Sequence, residues 1–478
     1  MSVTTRSMLP RIYMGVVAGV LALLCTVLGL VTIPAMMATR GSQSTAGDWT
    51  TYLGDNAHSG YNALESAIKP TTAPHLRHLW THSAASSIST QPVVTNGRVF
   101  WGSGDGYEHA TDSNTNASLW ATYLGVTYST GCFTATFGVT STATIATVGS
   151  TLIDFVGGGN GTFYALNAMS GTIIWRTVLG SSPARFIWSS PVVYAGHVYV
   201  GLASLGDCPL VQGALFEMNA TSGAIEQTFH VVPAGCTGGG IWSTPTIDEA
   251  KNLLYVTTGN DGPCLSREPY TFAVVQLNAT SLAPLSSWQV PPSQRGTDGD
   301  FGSTPTLFSA TINGSTTSML GVANKNGVYY AFRRSSISAG SVWTRQIATG
   351  GGGCPQCGDG SISPSTWDGT TLYTAGGHTL IGGQSCAGGL RALNPATGAI
   401  IWAHCLLSGP VLGATMGVPG LVVVCQGHAV LIVSSSTGNT LFSFVDPKNL
   451  FYGAPVISGG RLYVGNLDGN LYAFKPAR

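Results

Sequence analysis

Charge is what this sequence has least of. Only 8% of its 478 residues are Asp, Glu, Lys or Arg, and the two signs balance at 20 each. So sparse and even a charge offers no basic stripe for a nucleic-acid backbone and no charged tail. Lys and Glu are scarce while Thr, Ser and Val abound, which favours strands and an extracytoplasmic setting. The 64 glycines follow no Gly-X-Y period, so collagen is excluded. A c-type haem motif is missing too, because Gly358 rather than His follows Cys354-Pro-Gln-Cys357. No second cysteine pair at that spacing exists to complete a zinc site, so a disulfide is the better reading of these two.

One long apolar run is present. Arg6 and Arg11 precede residues Ile12 to Ile33, which Pro34 ends. At 1.5 Å per residue the run makes about 33 Å of helix, enough to span a bilayer. Positive charge before it and little after it places residues 1–11 in the cytoplasm and the bulk of the chain outside. The rival reading is a cleaved signal peptide, but Met36-Met37-Ala38 is a poor small-x-small site. Nine cysteines follow the run, and outside the cytoplasm most of them should pair, with the odd count leaving at least one free.

A unit recurs along the rest of the chain: Ser-x-Pro and two hydrophobics, a turn, Val-Tyr-Val-Gly, a Gly/Asp/Asn turn, Leu-Tyr-Ala-Leu-Asn, Thr-Gly, then Trp. Its fullest copies begin at Ser189 and Gly453, and others start near Thr90, Ala135, Ser243, Ser303, Ser361 and Gly413. Four strands per unit and eight units predict an all-β, eight-bladed propeller over residues 76–478. The last unit ends without its fourth strand, and Leu76-Arg77-His78-Leu79-Trp80 is a fourth strand without its first three. The early segment should therefore complete the final blade and close the ring. Residues 34–75 would be linker and lead-in.

Within one unit, Ser243–Asp248 and Leu253–Thr258 flank the polar turn Glu249–Asn252 and read as a β-hairpin. Trp242 before it and Asn260 after it should emerge on one face. Asp207 and Lys325 also follow second strands, and Asp300 precedes a first strand, so all five should gather at one end of the propeller.

The repeat, with Asp48-Trp49-Thr50-Thr51-Tyr52-Leu53-Gly54-Asp55 ahead of it, resembles the pyrroloquinoline quinone (PQQ) type propellers, most of all the quinoprotein alcohol and polyvinyl alcohol dehydrogenases. The resemblance covers about residues 48–478. It implies that Trp242 is the floor under the quinone, that Asn260 binds calcium, and that Lys325 in Lys-Asn-Gly contacts the quinone oxygens. Ser189 joins Trp242 and Lys325 as a cofactor contact. Asp300, with Asp298 two residues earlier, matches the family's catalytic carboxylate, as general base on an alcohol and as a calcium ligand. Asp207 is the acid nearest the family's remaining ligand, a Glu, but one position out of register. The family's adjacent cysteine pair over the quinone is absent.

The reading is thus a membrane-anchored, extracytoplasmic PQQ and calcium dehydrogenase without haem. Its substrate would be an alcohol, a polyol or polymer included, and its electrons would go to a separate acceptor. The alternatives are a non-catalytic propeller serving as an interaction or assembly scaffold at the membrane, and a carbohydrate-binding propeller.

Overall fold

The computed structural model describes residues 47–129, 131, 134–264 and 268–477. The run from Ile12 to Ile33 lies outside them. Among the described residues, no helix is long and apolar enough to cross a membrane.

Eight antiparallel sheets form the blades of a propeller, with inner strands beginning at Val93, Thr144, Val192, Thr246, Thr306, Thr366, Met416 and Val456; each has four strands, save that the blade beginning at Val192 gains Arg185–Phe186 as a fifth. We number the blades 1 to 8 in that order. Leu76–Ser83 pairs with Asn470–Pro476 as the outer strand of blade 8, so the ring closes as the sequence predicts. The expected hairpin is present in blade 4, with Ile247 opposite Leu254 and Asn252 taking the left-handed turn position at φ 53°. One boundary differs. Ala135 belongs to a separate small hairpin, Thr127–Ser129 with Ala135–Phe137, and the inner strand of blade 2 starts only at Thr144.

The repeat's fixed residues have identifiable tasks at the blade junctions. At four successive junctions the Ser or Thr at, or aligned with, the Ser/Thr-Pro motif accepts a backbone N–H from the blade before it. Gln91 N donates to Thr142 Oγ1, Thr142 N to Ser190 Oγ, Ser190 N to Thr244 Oγ1 and Thr244 N to Thr304 Oγ1, at 2.9–3.2 Å. The outer-strand Trp lies over the Thr-Gly turn of the next blade. Trp120 Nε1 donates to Ala168 O and Trp175 Nε1 to Ala220 O, both at 3.1 Å. Only glycine fits beneath such a ring: a Cβ on Gly171, whose φ is 73°, would sit 2.7 Å from the Trp120 ring.

The lead-in segment is more than a linker. Between Gly47 and Asn62 it runs past the inner strand of every blade. Trp49 exchanges backbone hydrogen bonds with Val94 of blade 1, and Thr50 O accepts from Ile145 N of blade 2. Asn56 Nδ2 donates to Val193 O of blade 3. The carbonyls of Asn56, Ala57 and Ser59 accept from Ile247, Leu307 and Trp367 of blades 4, 5 and 6. Asn62 N donates to Gly417 O of blade 7, and Asn62 Nδ2 to Ile457 O of blade 8. Trp49, Leu53 and His58 are fully buried in this axial position.

One junction breaks the apolar pattern. Glu108 of blade 1 stands where Phe163, Leu215 and Leu471 stand in other blades, and Asp154 of blade 2 where Val99, Val198 and Leu462 stand. Both are completely buried beside apolar residues of the two blades, and none of their four carboxylate oxygens has a hydrogen-bond partner. Burial, and then the charge of Asp154, pushes the Glu108 carboxyl well above its usual range, and burial pushes Asp154 up to about 8.

Candidate functional site

Three neighbouring blades supply the site. Asp207 follows the second strand of blade 3 (His197–Ser204), in a left-handed turn at φ 59°, and Ser204 Oγ donates to its Oδ1 at 2.9 Å. Trp242 and Asn260 bracket the hairpin of blade 4. Asp298 and Asp300 lie in the loop entering blade 5, and Lys325 follows that blade's second strand (Ser315–Ala323). Asn324 pins the loop, its Nδ2 donating to the carbonyls of Gly299 and Asp300 at 3.0 Å each.

These side chains meet. Trp242 Nε1 donates to Asp300 Oδ2 at 3.2 Å, and the ring has room to lie there because Gly302 has no Cβ, which would fall 2.0 Å from it. Lys325 Nζ sits 2.9 Å from Asp298 Oδ2, 2.5 Å from Asp300 Oδ1 and 5.0 Å from the centre of the Trp242 ring. Asn260 Nδ2 donates to Asp298 Oδ1 at 2.9 Å and to Asp207 Oδ2 at 3.3 Å. Its Oδ1 is buried with no partner.

The two carboxylates beside Lys325 are driven apart. Burial raises Asp300 to about 7, against the opposing pull of the Lys325 ammonium. Burial also acts on Asp298, but there Lys325 and Asn260 outweigh it and hold the carboxyl below its usual value. Lys325 is held charged: Asp300 and Asp298 together overcome the burial that opposes its ammonium. A pair split in this way suits two tasks, a permanently ionised ligand and a group that takes up protons near neutrality.

Asp207, Trp242, Asn260, Asp300 and Lys325 all line one cavity of about 310 Å³, which is at the lower end of the ~300–1,000 Å³ usual for small-molecule sites. The residues fit a hard divalent cation: all candidate donors are oxygens, carboxylates outnumber the single ammonium, and Asn260 Oδ1 is left without a partner. Ser189 is not brought to the cavity. It is buried, with its hydroxyl bonded to Ser190 O at 3.1 Å.

Its neighbour Trp188 does line the cavity, and sequence reasoning passed over it. The repeat carried the signal, since Trp188-Ser-Ser-Pro stands in blade 3 where Trp242-Ser-Thr-Pro stands in blade 4. The disulfides expected from the sequence, Cys354–Cys357 among them, are present and hold this end of the propeller. Cys236–Cys264 joins the loops flanking Trp242 and Asn260, and Cys354–Cys357 holds the loop whose Pro355 and Gln356 line the cavity. Cys208, next to Asp207, is disulfide-bonded as well. The remaining bridge is Cys386–Cys405, and Cys425 is free and buried, which meets the expectation of an unpaired thiol.

Eight blades with these junction motifs and this end-face cavity define the PQQ-type β-propellers, and the chain belongs to that family. The matching family model is described as outer membrane protein assembly factor BamB, and it covers residues 72–224, 110–259 and 386–478. Among curated proteins, polyvinylalcohol dehydrogenase of Sphingopyxis sp. (strain 113P3) is 27% identical over 59% of this chain and 48% of its own length. Quinohemoprotein alcohol dehydrogenase of Comamonas testosteroni is 24% identical over 62% of this chain and 46% of its own. The chain thus spans about half the length of the curated relatives it matches. The solved structure of the Comamonas testosteroni enzyme superposes with a TM-score of 0.74 at 18% identity, covering 91% of this chain and 82% of that one, a likeness of fold.

Proposed function

We propose that this propeller is a PQQ-dependent dehydrogenase that oxidises an alcohol. The observation that carries the reading is the convergence of Trp242, Asn260, Asp300, Lys325 and Asp207 around one cavity, with Asp298 bonded to Asn260 and Lys325 beside an unpartnered amide oxygen. A bound quinone would supply the two-electron redox chemistry that side chains lack. Trp242 would provide the flat floor for it, and Lys325 the cation facing its oxygens. Asn260 Oδ1, Asp298 and Asp207 would hold calcium. Asp300, poised near 7, would take the alcohol's hydroxyl proton. The ammonium of Lys325 keeps the ionised form of Asp300 accessible in spite of burial. Names of relatives point to substrates ranging from simple to polymeric alcohols. With Gly358 in place of a haem-binding His, electrons would leave to a separate acceptor.

Residues 12–33 would anchor the chain in a membrane, with the propeller outside the cytoplasm, where its disulfides persist. The scaffold reading rests on the description of the matching family model. A scaffold has no need for a buried lysine between two aspartates or an amide oxygen without a partner, so the dehydrogenase reading is preferred.

Calorimetric titration of the purified protein with PQQ, in calcium and in chelator, tests the proposal. Calcium-dependent binding that is lost in N260A and W242A supports it. Absence of binding in both conditions overturns it and leaves the scaffold.

A further inference from the structure

The repeat provides an internal control for what each position normally carries, and blade 3 departs from it at three positions that meet in space. The residue opposite Tyr199 is Glu217, where blades 1, 2, 5, 6 and 8 have Ala110, Ala165, Ala331, Ala392 and Ala473. The extra residue of the outer-strand bulge is Glu226, where every other blade has an aliphatic one, such as Leu119, Ile174 or Leu285. His197, which opens the second strand, replaces Arg98, Ile153 or Leu253.

His197 Nδ1 lies 3.2 Å from Glu217 Oε1 and 2.7 Å from Glu226 Oε2. Neither contact has hydrogen-bond geometry, so the oxygens flank the direction of Nδ1 instead of lying along it. Glu217 is only 1% exposed, and its second oxygen is buried without a partner. His197 and Glu226 are 28% and 37% exposed, which leaves the cluster open to solvent on one side. Tyr199 OH stands 3.3 Å from Glu217 Oε1, and Asn219 Nδ2 donates to Glu226 Oε1 at 3.1 Å, which orients both carboxylates.

We propose that His197, Glu217 and Glu226 form a second, separate metal site that takes a divalent first-row transition ion such as Zn²⁺. Ligands bound tetrahedrally at about 2.0–2.1 Å are about 3.3 Å apart, close to the His197–Glu217 spacing. The exposed Glu226, now at 2.7 Å, need open only by about 0.6 Å to match. An imidazole nitrogen with two carboxylates selects zinc or its neighbours over calcium. Three protein ligands and an open side leave a position for water. His197 opens the strand whose far end, at Ala203 and Ser204, lines the cavity, so the new site is roughly 20 Å from it.

The test is titration of the chelator-stripped full chain with Zn²⁺ in excess Ca²⁺, which occupies the oxygen-lined cavity. A parallel titration with Co²⁺ is followed by its visible absorption. One saturable equivalent is expected, weakened more than ~10-fold in E226Q and in H197Q. E226L, which restores the aliphatic residue of the other blades, should fold normally by circular dichroism and also lose binding. If Zn²⁺ does not bind, or binds these variants as it binds the parent, the cluster is a histidine–carboxylate contact without a metal role and the proposal is overturned.

Discussion

Replacing Glu108 and Asp154 together by leucine should make the protein more stable above neutral pH and remove much of its pH dependence. Both carboxyls have folded-state values raised above their usual ones, by burial first and, for Glu108, by the charge of Asp154 next. The folded state therefore keeps protons that the unfolded chain gives up. Stability tied to Asp154 is fully present below about pH 4 and is lost as pH rises toward about 8, and the raised Glu108 carboxyl adds a loss of the same sign. For Asp154 alone, a move from 3.8 to about 8 corresponds to at most about 6 kcal/mol, at about 1.36 kcal/mol per pH unit. Unfolding roughly 430 ordered residues at about 2.1 cal/mol/K each converts that to about 6 °C in Tm. Differential scanning fluorimetry of wild type and E108L/D154L across pH 5 to 8.5 is the assay. The wild-type Tm should fall along this range, and the double variant should stay flatter and exceed it at the alkaline end. Parallel curves, or a double variant less stable at every pH, would refute the view that these acids are costly when ionised.

Four further outcomes follow from the site and the junctions. With turnover established, kcat/KM should rise with pH through about 7 as Asp300 ionises, and D300N should abolish the activity while leaving PQQ binding measurable. Removing the ammonium with K325M should raise both Asp298 and Asp300, so any residual activity shows its rising limb above pH 7. Reduction of the protein should weaken PQQ binding, read by calorimetry, before it lowers Tm, because bridges at Cys236–Cys264 and Cys354–Cys357 hold loops of the cavity. W175A should cost about 3–5 kcal/mol in chemical denaturation, since it empties the cap over Gly223 and frees Ala220 O, yet should leave PQQ affinity unchanged.

The architecture was readable because its determinants repeat. Ser/Thr-Pro, Thr-Gly and Trp recur at fixed spacing, each answering a contact that each blade makes with the next. Strand direction placed Asp207, Trp242, Asn260, Asp300 and Lys325 at one end of the propeller, and the family resemblance singled them out from the other residues of that face. What could not be read is what does not repeat. The segment from Gly47 to Asn62 touches inner strands mostly through its own backbone, so its side chains mark the family at Asp48–Asp55 without showing the path it takes. Ser189 sits one residue after the position that faces the cavity, and that step turns a wall residue into a buried one. Glu108, Asp154, Glu217 and Glu226 become visible only when blade is set against blade, because each stands out by what it replaces.

The axial segment also decides how traffic must run. With Trp49, Leu53 and His58 packed into the middle of the ring, the central passage is stopped below the cavity. Whatever reaches Asn260 and Asp300 past the bridged loops then meets, along the axis, the segment that touches all eight inner strands. A long-chain alcohol would have to dip a segment in and withdraw it, because it has no far exit through which to thread.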